Sequence, residues 1–315
     1  MTFCVNTDCF GDLPLDAALD VVAELGLDAV EIAAGGHSDA PHLRIGELLA
    51  DPAARARFAE AIRSRGLTLN AINCSADPLH PRHGAEHRRL IEDSLRLAGE
   101  LGVDKVVTMS GCPGDAPGAP TINWIWFPWP DDMMAIRERQ WEVAVEVWRE
   151  LADRAEANGV RRIALELLPL QLVYNVPTLL RLRDEIGPVI GANIDPSHMF
   201  WQQMDPVRVV QALGPAVHHV HLKDTELYPD ELALNGVLDS RPWTDPEHRA
   251  WIFRTIGEGH PASFWRAFFA ALREAGYDDV LSVENEDLHL PGASGVRAAI
   301  DFATPLLEPA WRPVA

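Results

Sequence analysis

Four residues able to do chemistry stand at equivalent places in four apolar runs. Glu166 closes Ile163-Ala-Leu-Glu, Asp195 closes Ala192-Asn-Ile-Asp, His221 closes His218-His-Val-His, and Glu284 closes Leu281-Ser-Val-Glu. Three carboxylates and one imidazole make a donor set for a borderline-hard divalent cation such as Mn²⁺, Mg²⁺ or Co²⁺. Such an ion keeps coordination positions for substrate oxygens. A single charged residue at the end of an apolar run is as readily a salt bridge or a solvent-facing group. Four in successive runs argue for one shared site.

Other residues cluster around them in the chain. His198 follows Asp195 as Asp195-Pro-Ser-His, one turn on, and suits either a contact to a substrate hydroxyl or a proton relay. Lys223 and Asp224 follow His221; Lys223 could hold a substrate oxygen, or pair with Asp224 or Glu258. Trp124 and Trp126, in a stretch that also holds Trp129 and five prolines, offer flat faces to the C–H face of a ring, although loop packing or a subunit interface would use them equally. Trp201 and Trp243 stand in other loops. Arg241 and Arg254 have no glycine-rich phosphate cradle near them, which disfavours a phosphorylated ligand.

The elements that must position these residues read as repeating βα units. Strand-like runs cover Phe3–Asn6, Ala29–Ala33, Thr68–Asn73, Lys105–Met109, Arg162–Leu167, Ile190–Ile194, His218–Leu222 and Val280–Glu284. Amphipathic stretches alternate with them: Leu15–Leu25, Ala53–Arg65, His87–Leu101, Ile136–Ala157, Val207–Leu213, Phe264–Ala275 and Gly295–Thr304. Glycines suited to helix caps follow Leu25, Arg65, Leu101, Asn158, Ile186 and Ala275, several of them just before the next strand. Eight such units predict a closed (β/α)8 TIM barrel, an α/β fold, in one domain over 1–315. The quartet then falls on strands five to eight, at the rim where barrels of this kind carry their chemistry. Long loops follow strand four (Ser110–Asp132) and strand seven (Lys223–Pro261) on that same rim.

Composition narrows the class without naming it. Hydrophobic residues are 47% and charged residues 23%, as in compact soluble proteins. The 47 acidic and 27 basic residues leave a formal charge of -20, which repels phosphate backbones and anionic lipid; neither nucleic acid nor membrane is an expected partner. The start of the chain lacks a basic, apolar leader, and no run reaches membrane-spanning length. Cysteines 4, 9, 74 and 112 form no framework and read as buried thiols. A cytoplasmic location is expected.

Five segments taken together resemble the sugar phosphate isomerase/epimerase family of xylose isomerase-like barrels: Ala164-Leu-Glu, Asn193-Ile-Asp-Pro-Ser-His, His219-Val-His-Leu-Lys-Asp, Ile256-Gly-Glu-Gly and Gly276-Tyr-Asp-Asp-Val-Leu-Ser-Val-Glu. The resemblance covers nearly the whole chain, with Val30-Glu-Ile as its second-strand element. It implies one divalent metal, most often Mn²⁺, on Glu166, Asp195, His221 and Glu284, with the two glutamates as the acid/base pair and His198 as a substrate contact. Lys223, Asp224, Glu258, Trp124 and Trp126 are expected to join His198 in contacting the substrate, an unphosphorylated or keto sugar. A proton beside a carbonyl is too weakly acidic for a carboxylate alone, so a cation must stabilise the enediolate. Reprotonation then isomerises or epimerises; loss of a β-substituent makes the protein a lyase instead.

Ser110–Asp132 and Asn235-Gly-Val-Leu-Asp are similar to a branch with inosose dehydratase-like proteins and barrel subunits that cleave 3-oxo-glycosides. That branch implies a lyase expelling the anomeric group or water from a 3-keto sugar. The assembly expected is a homo-oligomer, or a hetero-complex with a small second subunit. Two other classes are less favoured. An endonuclease IV-like DNA-repair enzyme would need histidines where Asn73-Cys74 and Met109-Ser110 stand, and a basic face. A non-catalytic barrel subunit would have no reason to keep the quartet.

Overall fold

A computed structural model describes residues 1–307; the last eight positions of the expected 1–315 domain lie outside the described residues. Its strands are β1 (Thr2–Asn6), β2 (Ala29–Gly36), β3 (Thr68–Ser75), β4 (Lys105–Thr108), β5 (Arg162–Glu166), β6 (Ile190–Ile194), β7 (Val217–Leu222), β8 (Asp224–Leu227), β9 (Trp251–Arg254) and β10 (Val280–Val283). Eight of them close a parallel barrel in the order β1-β10-β7-β6-β5-β4-β3-β2. All eight expected strands are present, with ends that differ by at most three residues. Helices surround the barrel: α1 (Leu15–Glu24), α2 (Ile45–Ala50), α3 (Pro52–Arg63), α4 (Gly84–Leu101), α5 (Asp131–Ala157), α6 (Val176–Ile186), α7 (Ser197–Phe200), α8 (Pro206–Leu213), α9 (Pro229–Asn235), α10 (Ala262–Glu274) and α11 (Gly292–Ala303). Gly102, at φ 74°, ends α4 in the left-handed conformation that a side chain resists, which turns the chain directly into β4.

Alternation along each strand sorts side chains between two environments. Ile163 and Leu165, Ile190 and Ile194, Val220 and Leu222, and Leu281 and Val283 join the main core beneath the helices, where α5 and α10 contribute Trp141, Trp148, Trp265, Phe268 and Phe269. The intervening residues face the barrel axis, and many are polar: Glu31, Asn73, His219, His221 and Ser282 meet there through hydrogen bonds. A TIM barrel axis is ordinarily packed with branched apolar residues; here the polar filling leads up to the site.

Two regions depart from expectation. The long seventh loop is folded: β8 and β9 form an antiparallel pair with Asp224 opposite Arg254, and α9 follows β8. The expected helical stretches also omitted α2, and of α6 they marked only the capping glycine after Ile186. The α6 helix starts on a reciprocal cap between Asn175 and Thr178, with a proline in its first turn. All four cysteines are free thiols, and burial pushes Cys74 up to about 12. Among the described residues no helix is long and apolar enough to cross a membrane.

At the opposite end of the barrel axis, Lys105 on β4 is fully buried and meets Asp279 at 3.0 Å; Arg162 joins the same carboxylate at 2.5 Å. Burial works against the charged aspartate, but Lys105 and Arg162 outweigh it and hold the carboxyl well below its ordinary value. Asp279→Asn leaves a buried ammonium without its counter-charge, and denaturant unfolding is expected to show a loss of ~3–5 kcal/mol. A depressed folded-state value stabilises above the ordinary aspartate value and is lost as pH falls through the depressed one. The wild type should therefore lose stability more steeply than the variant below about pH 4.

Candidate metal centre

Closure of the barrel brings together one donor atom from each of Glu166, Asp195, His221 and Glu284, all within 4.8 Å of one another. The cause is register. Glu166 on β5 pairs beside Asn193 on β6, and Ser282 on β10 beside His221 on β7, so the four strand ends stand at one height. Asp195 and His221 are fully buried, whereas the Glu166 and Glu284 side chains keep 12% and 18% exposure. The two glutamates are thus the members a bound molecule can reach.

Each buried member is held by groups that leave its free face toward the others. Asp195 accepts the Ser197 N–H on Oδ1 at 2.9 Å, and its Oδ2 is ion-paired with the Lys223 ammonium at 3.0 Å. His221 directs Nδ1 at the site, 3.2 Å from Glu284 Oε2, and Nε2 at both oxygens of Glu31, each at 3.2 Å. Burial opposes charge on this ring, but Glu284 and Glu31 raise the imidazole well above its ordinary value; an ionised Glu31 keeps the proton on Nε2, so Nδ1 is the nitrogen that would be given up to a cation. Glu31 also accepts Ser282 Oγ at 2.7 Å, Asn73 Nδ2 at 2.7 Å and His219 Nε2 at 2.8 Å. Burial opposes its charge, but His221 and His219 hold it well below the carboxylate range. Burial and then Lys105 push His219 down to about 4, so it donates as a neutral ring.

Glu31, His219 and His221 also come close enough to hold an ion. They are buried and occupied with one another, while the quartet opens outward, so the quartet is the better ligand set. Its three carboxylates and one imidazole nitrogen fit a divalent cation. Sequence reasoning passed over Glu31 as a site residue; the available signal was a carboxylate in mid-strand between Val30 and Ile32.

Lys223 brings a positive charge into the site. Its Nζ lies 2.6 Å from Glu284, 3.0 Å from Asp195 and 3.0 Å from Glu286. Burial alone would lower the ammonium, but Asp195, Glu284 and Glu286 raise it well above its ordinary value. His198 donates toward Glu166 at 3.0 Å; against the cost of burial, Asp195 and Glu166 raise its imidazole. Both expected substrate contacts thus lie against a glutamate of the quartet.

The other four expected contacts, Asp224, Glu258, Trp124 and Trp126, have partners within the protein or stand exposed. Asp224 accepts the N–H groups of Gly257 (3.0 Å), Gly259 (3.1 Å) and His260 (2.9 Å), and so ties the end of β9 to the start of β8. Gly259 is needed there, because a β-carbon would lie 2.2 Å from the Thr225 carbonyl oxygen. Glu258 is half exposed and reaches Arg254 at 3.3 Å. Trp124 packs edge-on against Tyr174, and Trp126 is exposed beside Phe127. The aromatic wall beside the quartet is Phe253, missed in the sequence, with its ring 4.8 Å from Lys223 Nζ and 5.3 Å from the His198 ring. Asp224→Ala strips an acceptor from three backbone donors and is expected to lower Tm by roughly 5–10 °C in a thermal melt. An unchanged Tm with impaired ligand binding would return Asp224 to the substrate.

A polar cavity of about 260 Å³ opens beside Glu284 and is lined by Asn6, Asp8, His37, Ser38, Ser75 and Glu286, groups that suit a hydroxyl-rich molecule.

Comparison with known proteins agrees with this architecture. The uncharacterized protein YfiH of Bacillus subtilis (strain 168) is 42% identical over 299 residues, covering 94% of this chain and 96% of that one. Among solved structures, the probable 3-DHS dehydratase AsbF of Bacillus anthracis is 16% identical with a TM-score of 0.68, covering 96% of this chain and 99% of that one. D-psicose 3-epimerase of Clostridium cellulolyticum H10, solved with D-tagatose, is 18% identical at 0.64, covering 98% and 100%. The IolI protein with a bound zinc atom is 21% identical at 0.66, covering 97% and 98%. At these identities the structural likeness is one of fold. The family model described as xylose isomerase-like TIM barrel matches residues 19–306, and the chain belongs to that family.

Proposed function

We propose that this protein is a divalent-metal-dependent isomerase or epimerase that moves a proton on the carbon beside the carbonyl of an unphosphorylated keto sugar, with Mn²⁺ as the first-choice ion. The observation that carries this reading is the convergence of Glu166, Asp195, His221 and Glu284 at one rim, beside a polar cavity. A divalent cation there would stabilise the negative charge that develops on neighbouring substrate oxygens as the carbon proton leaves.

The residues divide the remaining work. Asp195 and His221 are buried and serve only to hold the ion. Glu166 and Glu284 stand at the two ends of the arc β5-β6-β7-β10, so a molecule lying across the centre has a carboxylate at either side. One takes the proton and the other returns one, each backed by a cationic partner: His198 on Glu166 and Lys223 on Glu284. Arg241 is engaged by Glu231 and Asp239, and Arg254 by Glu226 and Asp287, which leaves neither free to clamp a phosphate and supports an unphosphorylated substrate. A second reading, elimination from a 3-keto sugar or glycoside, uses the same groups and is favoured by an apolar cavity beside Glu286.

The test is incubation of the Mn²⁺-loaded protein in D₂O with a panel of free ketoses, followed by NMR. Deuterium at an isomerised or epimerised carbon is expected. A wild-type protein that binds no divalent ion by elemental analysis, or exchanges no ketose, overturns the proposal.

A further inference from the structure

We infer that His37, set in place by Asp77, is a specificity-determining contact that hydrogen-bonds a substrate hydroxyl in the polar cavity beyond Glu284. The inference deepens the proposed function and rests on it for the orientation of the sugar.

The order of strands tells where the rest of a bound sugar lies. The quartet occupies the arc β5-β6-β7-β10 with Glu284 at one end, and beyond Glu284 the barrel continues through β1, β2 and β3. The polar cavity follows that continuation. Asn6 ends β1, His37 and Ser38 follow β2, and Ser75 ends β3, all lining one space with Glu284. A sugar whose reacting carbon faces Glu284 thus extends its remaining hydroxyls toward His37.

The backbone is shaped to bring His37 there. Gly36 pairs so closely with Ser75 that a β-carbon would lie 2.1 Å from the Ser75 carbonyl oxygen, and its φ of 88° also resists a side chain. The same carbonyl accepts the His37 N–H at 2.8 Å. The ring is fixed separately: Nε2 donates to Asp77 Oδ2 at 3.0 Å, and the His87 ring stands edge-on at 5.8 Å. Asp77 is held in turn, because buried Gln171 donates to its Oδ1 at 2.9 Å and accepts the Gly111 N–H at 2.6 Å. Burial opposes charge on Asp77, but His37 and Gln171 keep the carboxyl below its ordinary value, and Asp77 raises the imidazole.

An ionised Asp77 keeps a proton on Nε2, so Nδ1 is the nitrogen left for a ligand. It has no partner among the described residues, and 60% of the side chain is exposed. An ion pair so exposed adds little to stability, so the support behind it places the ring rather than the fold. Nδ1 accepts when the ring is neutral and donates when it is charged; a hydroxyl, which does both, matches either state. Asp8 and Glu286 line the same cavity and repel a carboxylate. The chemistry selected is a neutral polyol.

Calorimetric titration of the Mn²⁺-loaded protein with 2-ketohexoses and their monodeoxy analogues, alongside deuterium exchange, tests this. For the ketose that binds, one analogue lacking a hydroxyl beyond the reacting carbons is expected to bind about 10- to 100-fold more weakly than the parent. His37→Ala should weaken the parent by the same factor and leave that analogue's dissociation constant unchanged, while the other analogues fall with the parent. His37→Gln, which keeps a donor and an acceptor, should recover part of the loss. Asp77→Asn should reproduce the selective loss in smaller measure. Parent binding unmoved by His37→Ala, or parent and every analogue weakened alike, overturns the inference. The two readings fail separately. A His37-dependent dissociation constant without deuterium exchange on any ketose sinks the proton transfer and keeps the contact; exchange with binding indifferent to His37 does the reverse. Failure of every ketose to bind overturns both.

Discussion

Glu166→Gln and Glu284→Gln are each expected to lower the rate of solvent deuterium exchange by about 10³-fold or more while the protein stays folded and still takes up metal. The amide keeps an oxygen donor of nearly the same shape but can neither accept nor return a proton, and a positioned acid/base group contributes roughly 10²–10⁴-fold. Asp195→Ala removes a buried ligand with no proton-carrying role, so its first consequence should be loss of the ion, read by elemental analysis. The contrast matters more than either result. If the Gln variants retained wild-type exchange, the glutamates would be ligands only, and the proton carriers would have to be sought at His198 or Lys223. If Asp195→Ala kept a stoichiometric ion, the quartet would not be the metal centre.

Glu31→Gln should weaken metal binding by roughly 10–100-fold, although Glu31 is not itself a member of the quartet. The carboxylate collects hydrogen bonds from His221, His219, Ser282 and Asn73, and it dictates which imidazole nitrogen carries the proton. An amide presents one acceptor and one donor there, so one of these donors loses its partner and His221 is free to turn its protonated nitrogen toward the metal. Titration of the metal-stripped protein with Mn²⁺ measures the effect directly, and Glu31→Asp, which keeps the charge but shortens the reach, should fall between the two. An unchanged dissociation constant in Glu31→Gln would mean that Asn193, 3.1 Å from His221 Nδ1, or the strand itself sets the ring.

Much of the architecture is legible along the chain because it is local. Alternation of His219, Val220 and His221 places both imidazoles on one face of a strand before any fold is known, and glycines such as Gly102 and Gly276 mark where helices must stop. The β8–β9 pair was hidden for a related reason. Its strands are four residues each and lie more than twenty residues apart, so neither has the length or the turn signal of a hairpin. Helix α6 is marked in the sequence only at its end, by the glycine after Ile186; its start is a reciprocal Asn175–Thr178 cap with Pro177 in the first turn.

The sequence by itself determined that a parallel barrel forms and that Glu166, Asp195, His221 and Glu284 end four successive strands of it, since periodicity and strand termination are properties of neighbouring residues. Only the tertiary structure decided what meets them. Glu31 lies 190 positions from His221 in the chain, and no local pattern announces that barrel closure puts its carboxylate against the ring. The same closure turned Lys223 across to Glu284 and Glu286, turned Asp224 into the loop that begins at Thr255, and set Phe253 beside His198. A strand's periodicity chooses the face of a residue; the stagger of neighbouring strands and the fold of the loops above them choose its partner.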